Sequence, residues 1–169
     1  MENKFISLAL FSSYLKVDDP NSSELFNLYL NSAQGIIEKY IGYSLEEKRY
    51  TRGKIGGATY IEAEAVNVSE LKINGETTKI LKQSVNIVLI QNISPDEIHT
   101  IEYKAGFKPD NIPDIIRLTM MRIAALMVSE EGGDIAITGK NFGADGGRTF
   151  IATRDYSKIL KEIEGYKIL

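Results

Sequence analysis

His99-Thr100-Ile101-Glu102-Tyr103-Lys104-Ala105, then Gly106-Phe107, then Ile112-Pro113-Asp114-Ile115-Ile116-Arg117 after a short connection: this stretch decides the fold. Its first seven residues alternate polar and apolar side chains, which predicts a strand with one face on a core. Pro113 then suits the first turn of a helix, where its missing N–H costs nothing. Ile116, Met120, Ile123, Ala124 and Met127 fall on one face of that helix, and Gly132-Gly133 stops it. A strand that hands over directly to a long amphipathic helix implies an α+β chain.

Working outward, the segment 46–106 reads as mostly antiparallel β. Thr59 to Val66 alternates, with Ile61, Ala63 and Ala65 on one face and Tyr60, Glu62 and Glu64 on the other. Leu71-Lys72-Ile73 leads into Asn74-Gly75, a pair that readily takes the two positive-φ positions of a type I′ hairpin turn. Val85 to Ile90 is a further strand, and Ser94-Pro95-Asp96 turns the chain towards His99. Upstream, Asn21 to Ile41 is a long helix with Leu25, Leu28, Tyr29, Ala33, Ile36, Ile37, Tyr40 and Ile41 on its apolar side. Asn21 and Glu24 have capping-box spacing, and Gly42 is placed to end the helix in a left-handed conformation. Ser7 to Lys16 is a short helix, set apart by Asp18-Asp19-Pro20. Downstream, 132–148 is a long glycine-rich loop, expected to be mobile. Thr149 to Thr153 is a short strand, and Asp155 caps a last helix bearing Tyr156, Ile159, Leu160 and Ile163. The expected architecture is one domain over 1–169. Its core is mainly helical, with a short N-terminal helix, two long helices and a C-terminal helix. The antiparallel β region is inserted between the long helices.

Composition excludes several classes. The chain has 169 residues, 43% hydrophobic and 25% charged, so it can bury a core without staples. A net charge of −3 gives no electrostatic footprint for nucleic acid. Cysteine is absent, which removes disulfides and thiolate metal sites. The apolar patch Phe5 to Phe11 lacks a basic n-region and a small-residue cleavage site, and no run approaches the ~20 apolar residues of a membrane span. The chain reads as soluble and intracellular.

The chemical inventory is thin. One histidine, His99, lies in a predicted strand with no convergent partners and reads as an ordinary strand residue. With no cysteine and one histidine, nucleophilic Ser–His or Cys–His machinery is hard to build, and a zinc site would need mostly carboxylates. Glu62 and Glu64 project from one strand face at a spacing that paired-carboxylate chemistry uses, yet alternation alone accounts for them. Glu130, Glu131 and Asp134 lack the Asp-x-Asp/Asn-x-Asp/Asn-Gly pattern of a calcium loop. In the segment Gly139 to Arg148, asparagine follows Gly139-Lys140 and Asp134 stands where a Walker loop needs glycine. No dinucleotide fingerprint is present either. No catalytic residue, cofactor or metal is expected. What remains there is an arm with Phe142 flanked by Lys140 and Arg148, which is either a plain mobile loop or a segment that orders on a neighbour.

Two stretches together carry a resemblance. One is Tyr14-Leu15-Lys16-Val17-Asp18-Asp19, followed by the helix ending Ala33-Gln34-Gly35-Ile36-Ile37-Glu38-Lys39-Tyr40-Ile41-Gly42. The other is Tyr103-Lys104-Ala105-Gly106-Phe107, leading through Ile112-Pro113-Asp114-Ile115-Ile116 into the long helix. In this order they resemble the head–tail connector (head-completion adaptor) family of tailed bacteriophages, over about half of the chain. The β region and the loop before the last helix are both longer than in compact members of that family.

The resemblance implies a structural subunit of a phage or prophage particle. It would act in the virion neck, at the head–tail junction, after assembly in the cytoplasm of the bacterial host. Its implied partners are other copies of itself in a ring homo-oligomer, the portal protein, and a downstream neck or tail-completion protein. DNA would pass without sequence-specific binding, and no membrane is involved. The segments expected to meet neighbours are the arm with Lys140, Phe142 and Arg148 and the last helix with Tyr156, Ile159 and Ile163. For Ile159 and Ile163, packing within the chain is the alternative. Two other classes compete: a non-catalytic bacterial ligand-binding or regulatory module with a pocket in the β region, and a hydrolase built on Glu62, Glu64 or Asp145.

Overall fold

The computed structural model describes residues 2–17, 23–55, 57, 60–91, 97–131, 140–141, 147–148 and 156–168. Residues 54–55, 130–131, 140–141 and 147–148 are described by their backbone alone. The architecture is α+β. Helices α1 (Leu8–Leu15) and α2 (Ser23–Ile41) are followed by strands β1 (Lys48–Ile55), β2 (Tyr60–Glu62), β3 (Ser69–Ile73), β4 (Glu76–Thr77), β5 (Lys82–Ser84), β6 (Ile87–Leu89) and β7 (Ile98–Ala105). A 3-10 turn (Pro109–Asn111) then leads into α3 (Asp114–Glu131). The chain ends with the pair β8 (Lys140–Asn141) and β9 (Gly147–Arg148), then α4 (Ser157–Leu160) running into a 3-10 segment (Lys161–Tyr166). It divides into two compact units, one of Met1–Ile37 with Pro113–Ile163, the other of Glu38–Ile112 with Glu164–Leu169.

The first unit is helical. Ser7 caps α1, its Oγ accepting from the Leu10 N–H at 3.3 Å, and Lys16 closes the helix at φ +56°. α3 packs on both α1 and α4. On α2 the buried line is Phe26, Leu30, Ala33 and Ile37, while Leu28 is exposed and Leu25 and Tyr29 are half-buried. The expected helix is therefore present: Ala33, Ile37 and Ile41 are buried as read off the sequence, while its first half buries Phe26 and Leu30 in place of Leu25 and Leu28. Asn21 lies outside the described residues, and with it the proposed capping box. On α3 the expected face holds, with Ile116, Met120, Ile123 and Ala124 fully buried and Met127 half-buried. The Phe11 ring meets Phe26 edge-on at 5.4 Å, an arrangement that adds roughly 1 kcal/mol beyond burial.

A polar knot that the sequence did not announce holds the N-terminal segment to α2. Asn3 is buried, and its amide donates to Asn31 Oδ1 at 3.0 Å and to Gln34 Oε1 at 3.1 Å. Its own oxygen accepts from the Phe5 and Ile6 N–H groups, both at 3.0 Å, and its backbone N–H donates to Asn27 Oδ1. Asn27, Asn31 and Gln34 stand at i, i+4 and i+7 on one flank of the helix. A buried amide so fully satisfied costs little and fixes one conformation.

The second unit is built on two sheets. The larger has the order β1-β7-β3-β4 and is antiparallel throughout. β7 lies within it, its His99, Ile101, Tyr103 and Ala105 buried on one face, as alternation predicts. β1, rich in Lys and Arg and not anticipated as a strand, pairs with the whole of β7, Tyr50 opposite Tyr103 with rings stacked at 5.4 Å. The Tyr103 hydroxyl accepts from the Glu64 N–H at 3.0 Å. The hairpin turn is as expected, with Asn74 at φ +51° and Gly75 at φ +84°. The smaller sheet has the order β2-β6-β5. Here the strand expected from 85 to 90 is only β6, and 82–84 forms the unexpected β5. Val85 sits in the turn between them at φ +49°, a conformation that a β-branched residue seldom takes. β2 covers only 60–62 of the alternating run, although Ile61, Ala63 and Ala65 are all buried as expected.

Candidate interaction surfaces

The motif Tyr103-Lys104-Ala105-Gly106-Phe107 is a corner of the second unit. Gly106 adopts φ +110°, and a Cβ there would lie 2.6 Å from the Glu46 carbonyl oxygen, so only glycine fits. Its N–H donates to the Val66 carbonyl at 2.8 Å, and its carbonyl accepts from Asn67 Nδ2 at 3.0 Å. The Phe107 N–H donates to the Leu45 carbonyl at 2.7 Å, and its ring meets Tyr166 edge-on at 6.4 Å. Residues 164–168 belong to this unit despite their distance in sequence. The Ile168 N–H donates to the Ile41 carbonyl, and Lys167 Nζ lies 5.4 Å from the centre of the Tyr40 ring. Gly42 ends α2 at φ +91°, as expected. Burial, with Tyr166 beside it, pushes the Tyr43 phenol well above its ordinary range.

His99 is a buried strand residue. The Thr100 N–H donates to Asn74 Oδ1 at 2.8 Å, which orients the Asn74 amide so that its Nδ2 donates to His99 Nδ1 at 3.1 Å. The imidazole therefore ties the hairpin turn to β7. Glu62 and Glu64 are both exposed. A cavity of about 210 Å³ in this unit lies against β1 and β2 and is lined by Arg52, Gly53, Tyr60, Ile61 and Glu62. Among the described residues no three His, Asp or Glu side chains gather as a metal site. Asp134, Asp145 and Asp155 lie outside the described residues.

The expected interface residues fall out as follows. Lys140 and Arg148 are paired opposite each other in the β8–β9 ladder, so part of the predicted loop is a short hairpin. Phe142 lies outside the described residues. The last helix is one turn, Ser157–Leu160, continued as a 3-10 segment rather than the longer amphipathic helix expected. Tyr156 occupies its N-cap position without a side-chain cap bond. Ile159 is half-buried, and Ile163 is fully buried in the first unit. Glu162 in the same segment makes a two-pronged contact with Arg122 of α3, at 2.6 and 2.7 Å.

No family model matches the sequence, and no curated protein does. Solved structures do match. A chain in the neck of an empty gene transfer agent (GTA) particle, computed with C6 symmetry, aligns at TM-score 0.60 with 12% identity, over 98% of this chain and 90% of its own. A chain of the virion of a native GTA particle aligns at 0.55 with 13% identity, over 100% and 93%. A chain in the neck of a native GTA particle, computed with C12 symmetry, aligns at 0.50 with 14% identity, over 100% and 96%. What this chain shares with them is the fold. At such identity the likeness reaches the course of the backbone and stops short of individual contacts.

Sequence reasoning missed the surface that stands out most. In the β2-β6-β5 sheet, Tyr60 pairs with Leu89 and Glu62 with Ile87, so Tyr60, Leu89 and Ile87 share one face. They are 46%, 38% and 44% exposed, while Ile61 and Val88 on the opposite face are buried. The signal was present: Ile87-Val88-Leu89-Ile90 is apolar at consecutive positions, the pattern of a strand covered on both faces.

Proposed function

We propose that this chain is a non-catalytic structural subunit of the neck of a phage-type particle. Copies form a ring beneath the portal, extend the DNA channel and offer a docking surface to the next neck or tail component. The subunit works at the head–tail junction after assembly in the host cytoplasm, and DNA passes without sequence-specific contact. The observation that carries the reading is the agreement of fold over essentially the whole chain with chains of GTA particles, two of them in necks.

A ligand-binding module would need a concave apolar site, and such sites run from roughly 300 to 1,000 Å³. The cavity against β1 and β2 is about 210 Å³ and carries the charged Arg52 and Glu62 in its lining. It gives that alternative little support.

The test is localisation. With a tagged copy of this chain in particles purified from a host that makes them, gold label is expected at the head–tail junction. Label over the capsid or at the tail tip, or its absence from finished particles, overturns the reading.

A further inference from the structure

Asn74 and Gly75 form the turn between β3 and β4, and Asn74 is the one asparagine in the chain that a glycine follows. That pair carries a chemistry of its own. The backbone nitrogen after an asparagine can attack the side-chain carbonyl carbon, and glycine, having no Cβ, shields that nitrogen least. Both residues are exposed, and a Cβ placed on Gly75 would meet nothing within 4 Å, so water reaches the turn freely.

The folded turn holds this reaction off in two ways. Ring closure needs the Gly75 nitrogen nearly eclipsed with the Asn74 Cβ. Asn74 is left-handed, at φ +51°, and in that conformation ψ is about +47°, which carries the next nitrogen to the side opposite Cβ. The amide is also pinned. Its Oδ1 accepts from the Thr100 N–H at 2.8 Å and its Nδ2 donates to His99 Nδ1 at 3.1 Å. The Asn74 N–H donates to the Thr100 carbonyl at 2.8 Å. These bonds keep Cγ against β7 and away from Gly75. Their release is a local event, because β4 has two residues and lies at the end of its sheet, beside β3. So short an edge pair opens at lower cost than the whole fold.

We propose that Asn74 is a latent modification site, deamidated through attack by the Gly75 nitrogen when the β3–β4 hairpin opens and protected while it is closed. The Gly75 nitrogen gives its proton to solvent and bonds to Asn74 Cγ. A proton returns from solvent to Nδ2, the Cγ–Nδ2 bond breaks, and ammonia departs. Water then opens the cyclic imide at either carbonyl, leaving an aspartate at 74 or an isoaspartyl link that runs through the side chain. Nothing is oxidised or reduced. Either product loses the donor to His99 Nδ1, since a carboxylate only accepts. The isoaspartyl link also adds a backbone atom to a turn built on the positive φ angles of Asn74 and Gly75. A transient opening is thereby made lasting.

The experiment follows the full chain at mildly alkaline pH, folded in buffer and unfolded in guanidinium chloride. Peptide mapping tracks the fragment that holds residue 74, with isoaspartate counted separately. Conversion is expected at least about tenfold more slowly in the folded chain, the ratio being set by the fraction of time the hairpin is open. His99→Leu, shown to be folded by circular dichroism, removes one pin and is expected to raise the folded-state rate about threefold. Gly75→Ala is expected to slow conversion in the unfolded chain, where only the chemistry counts. In folded chain that carries the converted residue, the Thr100 and Thr78 amides are expected to lose hydrogen-exchange protection. Equal rates in the folded and unfolded chain overturn the proposal, and this comparison stands even where His99→Leu fails to fold. So does an unfolded chain that shows no conversion at residue 74, or one in which Gly75→Ala changes nothing.

Discussion

The two sheets of the second unit are made from the same kinds of residue and finished differently. In the β1-β7-β3-β4 sheet the inward residues Ile101, Tyr103 and Ala105 are buried, and the outward face is polar, with Arg49, Thr51, Thr100, Glu102, Lys104 and Lys72. Lys104 on that face meets Glu70 at 2.7 Å, and among the described side chains there Ile98, at the start of β7, is the one large apolar residue left exposed. The β2-β6-β5 sheet also buries one face, through Ile61 and Val88, yet its other face sets Tyr60, Ile87 and Leu89 among Glu62, Lys82 and Ser84. The first sheet is complete within one chain. The second leaves three large apolar side chains in solvent on its outward face, where the first presents almost only polar ones.

The largest effect is expected at the corner that closes the first sheet. Gly106→Ala places a Cβ against the Glu46 backbone at a positive φ, so a loss of about 3 kcal/mol in chemical denaturation is expected. A loss below about 1 kcal/mol would show that this corner is not what closes the sheet. The two faces of β6 should then separate cleanly. Val88→Ala is expected to cost about 2 kcal/mol, and Ile87→Ala less than about 0.5 kcal/mol in the unassociated chain. Equal costs would mean that Ile87 is held within its own chain, and the contrast between the sheets would collapse. Tyr103→Phe removes the acceptor of the Glu64 N–H, for an expected loss of about 1 kcal/mol.

The smallest effect lies on the polar outer face. The hydrogen bond from Lys104 and its charge, with Arg49 and Lys108 beyond it, hold the Glu70 carboxyl below its usual range. A carboxylate with a lowered folded-state pKa stabilises the fold at pH values above its unfolded pKa, and that contribution fades as pH falls through the folded value. Glu70 is exposed, so Glu70→Gln should shift the neutral-pH melting temperature barely at all and flatten its decline under acid slightly. A large shift would mark the outer face as more than a solvated surface.

What was legible in the sequence follows the same division. β7, the Asn74-Gly75 turn, α3 and the C-terminal end of α2 were readable because a local rule dictates each: alternation, paired positive φ, helical period or a terminal glycine. β1 was not, because Lys48, Arg49, Arg52 and Lys54 hide an edge strand that only β7 can define. β5 and the Val85 turn were missed because the bend imposes a backbone conformation that valine does not advertise. The shifted buried line in the first half of α2 has a similar cause. Asn27, Asn31 and Gln34 are polar residues used for a buried contact with Asn3, and helical periodicity gives them to solvent. At the candidate interface, Lys140 and Arg148 are found facing each other in a ladder, and Ile163 is found in the core. The apolar sheet face was visible only as an unusually continuous run at 87–90, whose meaning depends on which side the core occupies.

The most direct test of the account is the native mass of the purified full chain across a concentration series, with images of the heaviest species. Closed rings with a central channel, built by head-to-tail repetition of one contact, are predicted. A fixed two-fold dimer at every concentration would contradict the account, because a self-complementary face closes after two copies and cannot make a neck.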